Sequence, residues 1–227
     1  MPKVKALRTT LSYLPTYDSG DAVKLIGQLS SIGEISLTSE EVDVTVLDSE
    51  YKEVLQGARD AGELPITGFH DSTNTGQTQM RTLHTSGASG YFWVTFRDSA
   101  VVAFTAIVTG HTIGSADVNG AVGFGASLRI TGPMQFISPK LAVAQTKADG
   151  QTATLDSTAT ALKGTSSYQW YSNDENNYTT PTSIGGATSA TYTTGALSTG
   201  TYYYFCVVTV AGYRAINSQI HVITVSA

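Results

Sequence analysis

Alternating apolar and polar residues predict most of the strands in this chain. Three segments after residue 90 carry apolar side chains at every second position: Phe92 to Phe96, Val102 to Val108 and Val122 to Ile130. Successive side chains of a strand point to opposite faces, so each segment should present one apolar and one polar face. Asp, Asn and Gly residues between the segments favour chain reversals. The pattern predicts a meander of long strands.

An earlier strand separates carboxylates from valines. Glu41 and Asp43 alternate with Val42, Val44 and Val46. Period-2 geometry places the two sets on opposite faces of the strand, so we predict one face that is acidic and exposed to water. A calcium site on Glu40, Glu41 and Asp43, or a carboxylate pair among them, is less favoured than a solvated face, because the spacing of a calcium loop is absent.

Two segments depart from this alternation. Over Leu47–Leu64, the residues Asp48 and Ser49 are of the type that begins a helix, and glycines follow, so we predict a loop with one or two helical turns. A short strand over residues 64–69 should come next. Over residues 75–86 the apolar residues have the period of a helix, which predicts one amphipathic helix with Met80, Leu83 and His84 on the face that covers a sheet.

The ends of the chain differ from its middle. Residues 1–20 mix small, polar and Pro residues without a period, which predicts an extended arm. Prolines at 133 and 139 and a change of composition place a domain boundary between residues 138 and 139, since eight of the twelve tyrosines follow it. Short strands at regular spacing then predict a β-sandwich over 139–227. The fold class is mainly all-β, with one short helix.

Composition excludes several classes of function. The net charge is −5, and Lys and Arg form no cluster, so tight binding of nucleic acid is not expected. The acidity lies in residues 1–138, which hold nine basic and fourteen acidic side chains. A single cysteine, Cys206, allows no internal disulfide. No segment has the length of a membrane span or the pattern of a secretion signal, so we expect neither membrane insertion nor secretion.

The sequence contains no clear motif for catalysis, metal binding or cofactor binding. The four histidines, at 70, 84, 111 and 221, are far apart along the chain and lack the spacing of metal ligands. The pair Gly123 and Gly125 lacks the third glycine and the helix of a dinucleotide site. No arrangement of nucleophile and base is recognisable. We therefore predict no enzyme activity, no metal and no cofactor.

Two segments after residue 139 are similar to immunoglobulin-like domains. Trp170 stands in the segment YQWY, and Tyr204 and Cys206 end the segment GTYYYFC. These resemble the C and F strands of that fold, and the resemblance implies that the three residues form the core. Ala153 or Leu155 occupies the place of the partner cysteine, so the core should be held by packing alone. Tyrosines in this part also suggest a carbohydrate surface, although a core role is favoured because aromatic residues at alternating strand positions fill a small β core.

Residues 10–137 resemble the major tail tube protein of long-tailed bacteriophages. The resemblance rests on three segments in order, with the sequences IGEISLTSEEVDVTVLDSEYKE from Ile32, ARDAGEL from Ala58 and GPMQF from Gly132. The family often carries a C-terminal immunoglobulin-like domain, which matches this layout. The resemblance implies a structural virion protein of a siphovirus-type tail, assembled in the host cytoplasm.

The resemblance also implies partners and interfaces. Six copies should form a ring, and rings should stack around a tape-measure protein into a tube that DNA later crosses without specific binding. Tail terminator and tail tip proteins would contact the ends. Since a conduit for DNA should repel phosphate, we further expect Glu41 and Asp43 to face the lumen. The N-terminal arm and the Leu47–Leu64 loop would bridge rings through a set of contact residues: Leu47, Asp48, Tyr51, Val54, Leu55 and Leu64.

The second part of the chain leaves an alternative open. By the tail tube interpretation, residues 139–227 decorate the exterior of the tube and bind a host-surface glycan weakly, with avidity from many copies. Their deletion should then leave tube assembly intact. By the alternative, the protein is a surface adhesin or carbohydrate-binding protein that acts through the immunoglobulin-like domain.

Overall fold

The computed structural model describes residues 9–16, 20–114, 120–161 and 164–227, and in this part the chain is mostly β with a single helix, which confirms the predicted class. The elements up to residue 139 are β1 (Thr10–Leu14), β2 (Lys24–Ile26), β3 (Leu29–Ile32), β4 (Thr38–Asp43), β5 (Val54–Asp60), β6 (Glu63–Phe69), α1 (Thr75–Ser86), β7 (Ser89–Thr95), β8 (Val101–Ile113), β9 (Gly123–Ile130) and β10 (Gln135–Pro139). Those that follow are β11 (Gln145–Ala148), β12 (Thr154–Asp156), β13 (Ala159–Ala161), β14 (Ser166–Asn173), β15 (Thr182–Ser183), β16 (Thr191–Thr193), β17 (Gly200–Val210), β18 (Ile216–Asn217) and β19 (His221–Ser226).

One large antiparallel sheet organises the first part of the chain. Its strands follow the order β2-β1-β7-β8-β9-β6-β3, and β10 pairs with the start of β8. The first and last strands of this order are consecutive in the chain, with only Gly27 and Gln28 between them, so the sheet curls back toward itself. The alternating apolar residues of β6, β7, β8 and β9 meet inside it, as the pattern predicted, with Phe92, Phe104 and Leu128 fully buried.

The predicted helix is confirmed with bounds 75–86, and it packs on β2 and β8. Met80 and Leu83 are buried, but His84 is exposed and Gln77 takes its place on the buried face. The Gln77 amide donates to the carbonyl oxygens of Gly27 and Phe69 at 3.0 and 2.8 Å. A buried amide with these partners is stable inside a core, and here it fixes the helix to β6 and to the turn between β2 and β3.

Replacing the helix-capping residue should weaken this attachment measurably. The Asn74 side chain accepts a hydrogen bond from the backbone N–H of Gln77 at 2.9 Å, which satisfies one of the free donors at the helix start. We expect Asn74→Ala to lower the free energy of unfolding by about 1 kcal/mol. Asn74→Asp keeps an acceptor and is the matched control. Equal urea midpoints for wild type and Asn74→Ala would contradict this role.

The predicted N-terminal arm is wrong over residues 10–14. This segment is β1, which pairs with β7 along its whole length and with β2 on its other side. Leu11 and Leu14 are fully buried, because the short alternation of Leu11, Ser12 and Tyr13 suffices for a strand between two others. Residues 1–8 and 17–19 of the predicted arm lie outside the described part of the chain.

The C-terminal part contains a sheet in the order β11-β19-β17-β14-β15, with β18 on β17, and a separate pair β12-β16. Trp170, Leu155 and Ile223 are fully buried in its core. This core continues into the first part of the chain, where it includes Trp93 and Val101. The expected polar face of β7 is therefore absent, since its residues from Gly90 to Val94 are all buried. The C-terminal part covers the face that the alternation predicted to be wet.

Specific contacts fix the two parts to each other. The strand β13, which the sequence did not predict, pairs with β10 and so joins the large sheet. The Arg214 guanidinium lies 5.3 Å from the centre of the Trp93 ring. The backbone N–H of Arg214 donates to the Tyr91 hydroxyl at 3.2 Å. A cation over a Trp face adds attraction to the burial of the ring. The domain boundary near residue 138 remains a prediction.

Candidate assembly surfaces

A two-stranded hairpin extends from the large sheet without joining it. It consists of β4 and β5, which pair only with each other among the described residues. The prediction of a loop with helical turns over Leu47–Leu64 is therefore wrong. The polar residues that resemble a helix start form the reversal instead, where the N–H of Ser49 donates to the carbonyl of Val46 at 3.1 Å. Turns and helix starts favour the same residue types, so sequence could not separate them.

The two faces of this hairpin differ in polarity, as the alternation predicted. Val42 lies opposite Leu55 on one face, and Glu41 lies opposite Gln56 on the other. The first face, with Val44 and Val46, is apolar. All of its valines are accessible to solvent, with exposed fractions of 48% for Val42, 37% for Val44 and 57% for Val46. We call the set Val42, Val44, Val46 and Leu55 the apolar face of the hairpin.

Hydrogen bonds preorganise the acidic face and the base of the hairpin. Asp43 accepts from the hydroxyl and the N–H of Thr45, at 2.6 and 3.0 Å, and these bonds lower the pKa of its carboxyl. At the base, the N–H of Gly62 lowers the pKa of Asp60 most, and the Arg129 guanidinium at 2.7 Å adds to the effect. Both carboxylates are therefore ionised at neutral pH, and Asp60 links the hairpin to β9.

The predicted contact residues divide into two groups. Leu47, Asp48, Tyr51, Val54 and Leu55 are exposed on the hairpin, and Leu47 at the tip is fully accessible. Leu64 is different, because it lies on β6 with no exposed area and packs in the core. The prediction that Leu64 is a contact residue is therefore wrong. The same alternation that makes β6 a strand turns the Leu64 side chain inward.

An apolar groove of about 780 Å³ opens near the base of the hairpin. Its apolar walls include Leu29, Ile32, Ile35, Leu37, Phe96 and Phe136. No charged side chain of the described residues lines it. We call this the base groove. No pattern along the chain predicts this groove, because its walls come from segments that are far apart in sequence.

Three histidines that are distant in sequence come near each other in the fold. Burial lowers the pKa of His111 first, and the neighbouring His84, Arg81 and His70 lower it further. The fold therefore brings three imidazole rings and the Arg81 guanidinium together beside α1. Among the described residues, no group of His, Cys, Asp or Glu has an arrangement that could hold a metal ion.

The three residues expected in an immunoglobulin-like core are all buried. Trp170 and Cys206 have no exposed area, and Tyr204 has 8%. Burial raises the pKa of the Cys206 thiol to about 11, which keeps it protonated and unreactive. Two of the tyrosines considered for a carbohydrate surface, Tyr171 and Tyr178, contact the Phe205 ring, and the Tyr178 hydroxyl donates to the Ser218 carbonyl, although Tyr178 is still 42% exposed. The immunoglobulin-like assignment itself remains a prediction.

Two family models match the chain, one in each of its two parts. Residues 17–129 match the family described as lambda phage tail tube protein, and residues 140–227 match a family described as a domain of unknown function. No curated protein matches the chain. In the described residues, no helix has the length and apolar character to cross a membrane.

Solved structures that resemble the chain include tail proteins. The tail of an empty gene transfer agent particle shares 23% identity over 59% of this chain and 96% of its own, with a TM-score of 0.46. The virion of a native gene transfer agent shares 24% identity over 56% and 94%, also at 0.46. The SPP1 tail tube shares 16% identity over 57% and 77%, at 0.46. By its match to the family model, the chain carries in residues 17–129 a domain of the lambda phage tail tube protein family.

Proposed function

We propose that this protein builds the tube of a phage tail by self-association, as rings of six copies that stack and later let DNA pass. The observation that carries the proposal is the hairpin β4–β5, whose apolar face is exposed. A two-stranded hairpin alone in water is marginally stable at best. Exposed contiguous apolar surface of this kind marks a site of interaction. The hairpin is therefore built to be covered by another molecule, which in a tail tube is another copy.

The opposite face of the hairpin suits a DNA conduit. It carries Glu41 and Asp43, and the lowered pKa keeps Asp43 charged. When the apolar face docks on a neighbour, these carboxylates are directed away from the contact and toward the lumen. Repeated around a ring, they repel phosphate, so that DNA crosses without binding. A lumen lined with cationic side chains would bind DNA, because contact with the phosphates releases counterions. The acidic face of the hairpin would have the opposite effect.

The remaining partners follow from the tube. A tape-measure protein fills the lumen during assembly in the host cytoplasm, and terminator and tip proteins close the two ends of the tail. The C-terminal part lies on the exterior. The proposal assigns the protein no catalytic step, since its role depends on shape and contact. The adhesin alternative is less favoured, because two of the tyrosines that suggested it, Tyr171 and Tyr178, already pack against Phe205 of the same part of the chain.

Charge added to the apolar face should abolish tubes. Val44→Glu places a carboxylate where docking removes water, and an unpaired buried charge is strongly unfavourable. We expect a folded protein whose tubes are lost in negative-stain microscopy. Gln56→Glu is the matched control, since it adds the same charge to the opposite face of the same hairpin. Wild-type protein that forms neither rings nor tubes, alone or with a tail tip complex, would refute the proposed function, and the ring views give the number of copies.

A further inference from the structure

We propose that a cleft between the two parts of the chain binds an anionic sugar. The cleft has a volume of about 340 Å³. Strands β7 and β8 form one wall with Trp93 and Val101, and the C-terminal part forms the other with Tyr178, Arg214 and Asn217. We call this the junction cleft. Small-molecule sites have volumes of roughly 300 to 1,000 Å³, so the junction cleft suits one or two sugar rings better than a folded partner.

Arg214 gives the junction cleft its charge, since it is the only charged side chain that the described residues contribute to the lining. In the described part of the chain, no carboxylate pairs with Arg214 and no acceptor takes a hydrogen bond from its guanidinium. The contacts with Tyr91 and the Trp93 ring nevertheless hold the residue in place. A guanidinium offers a fixed fork of donors that a carboxylate or a phosphate can occupy in pairs. Because this fork is already positioned, little ordering is needed when an anion binds.

An aromatic ring with one open side lies in the same cleft. The Tyr178 ring makes an edge contact with Phe205 at 4.9 Å, and its hydroxyl donates to the Ser218 carbonyl at 2.9 Å. These contacts fix the ring, yet 42% of Tyr178 is exposed. An aromatic ring with an apolar face toward water can pack against the C–H groups of a sugar ring. A bare anion would use Arg214 alone, whereas an anionic sugar uses both side chains.

The remaining polar side chains of the junction cleft suit sugar hydroxyls. Thr95, Ser99 and Asn217 line it, and none of the three makes a side-chain hydrogen bond within residues 9–16, 20–114, 120–161 and 164–227. Hydroxyl and amide side chains can each donate and accept, as can the hydroxyls of a sugar. The cleft therefore combines a cation, an aromatic face and three free polar groups around one small volume.

The position of the junction cleft is compatible with the tube but does not require it. One copy contains every residue of the site, so binding does not depend on the proposed function. Elsewhere the protein repels anions, because its net charge is −5. A single sugar ring buries little surface, and the affinity of one cleft should be on the order of millimolar. Repetition of the cleft on an assembly would raise the total affinity for a polymer of such sugars.

Titration of the full-length protein with simple sugars tests the site. The chain has two tryptophans, Trp93 in the junction cleft and the fully buried Trp170, so a ligand should change the fluorescence of Trp93. We expect a saturable change with glucuronic acid or with glucose 6-phosphate, and the tighter of the two shows whether the site prefers a carboxylate or a phosphate. Glucose lacks the charge and should bind at least about tenfold more weakly. Acetate lacks the ring and should also bind more weakly than glucuronic acid.

Two variants locate the binding, with calorimetry as a second readout that does not depend on Trp93. Arg214→Gln removes the charge and should weaken binding of glucuronic acid at least about tenfold. Asn217→Ala removes a side chain that makes no hydrogen bond in the described structure, so the fold should be unaffected while binding weakens about fivefold. Arg59→Gln makes the same change of charge at an exposed position of the hairpin and is the matched control.

Several results would overturn the inference. They are no binding of either anionic sugar to wild-type protein, equal binding of glucose or acetate and glucuronic acid, or binding that Arg214→Gln and Asn217→Ala leave unchanged. Tighter binding of an acetylated dipeptide with a free C-terminal carboxylate would assign the cleft to a peptide and overturn it as well. None of these results bears on whether the protein forms tubes in microscopy, so this inference and the proposed function fail separately.

Discussion

Deleting residues 140–227 should make the tail tube domain insoluble rather than leave it able to assemble. The truncation exposes the face of the large sheet that the C-terminal part covers, and six residues there are now buried: Leu14, Tyr91, Trp93, Val101, Ala103 and Ile137. It also removes β13 and leaves the outer edge of β10 unpaired. An apolar face beside an open strand edge is a template for aggregation. This reverses the expectation from sequence, by which the deletion is harmless.

A point substitution tests the same interface in the full-length chain. Trp93→Ala removes a buried ring and its contact with Arg214, so we expect a loss of about 3 to 5 kcal/mol in the free energy of unfolding. Thermal unfolding followed by circular dichroism gives the measurement. Leu25→Ala, at an exposed position on β2, is the control.

Adding Trp93→Thr, Val101→Thr and Ile137→Thr to the chain truncated after residue 139 should restore part of its solubility. A soluble, tube-forming truncation without these changes would show that the interface is dispensable.

The C-terminal part should lose stability between pH 6.5 and pH 4 because of one histidine. His221 lies in the core, where it contacts the Trp170 ring and shares a hydrogen bond of 3.0 Å with the Ser157 hydroxyl. Burial lowers the pKa of its imidazole from 6.5 to about 4, and Asp156 opposes the shift weakly. The fold thus favours the neutral ring. The unfolded chain takes up a proton near pH 6.5 and the folded chain does not, so stability falls as pH falls through this window.

The expected loss is about 3 kcal/mol, from the difference between the two pKa values. Urea unfolding at intervals from pH 7 to pH 4 measures it. The double variant His221→Phe with Ser157→Ala removes the titrating group without leaving the serine hydroxyl unpaired, and its stability should change much less over the same range. His84→Gln, at an exposed position of α1, controls for the removal of a histidine. A wild-type profile as flat as that of the double variant would contradict the role of His221.

The local sequence pattern was enough to predict the elements in which buried residues recur at regular intervals along one segment. The strands β6 to β9 and the helix α1 follow directly from the spacing of apolar residues, and Gly87 ends the helix in the left-handed conformation that glycine favours. The acidic and apolar faces of β4 were also predicted from alternation. In each of these cases the periodicity of the secondary structure is visible in consecutive residues.

The misassigned elements share a different cause, which is that their partners are distant in the chain. The segment 54–60 has no strong strand pattern and becomes β5 only because β4 pairs with it. The strand β13 exists by pairing with β10, and β1 is buried by β2 and β7. Leu64 lay at the end of a predicted loop, and its burial depends on β9 and the core around it. Tertiary contacts decide the structure of such residues, and a single sequence does not show these contacts.

Under the proposed function, the exposed hairpin also gives a stack of rings a direction. If a different surface of the next copy covers the hairpin, one terminus of the stack displays uncovered hairpins and the other displays the uncovered acceptor surface. The protein that initiates the tube and the protein that stops it should then carry opposite halves of one contact.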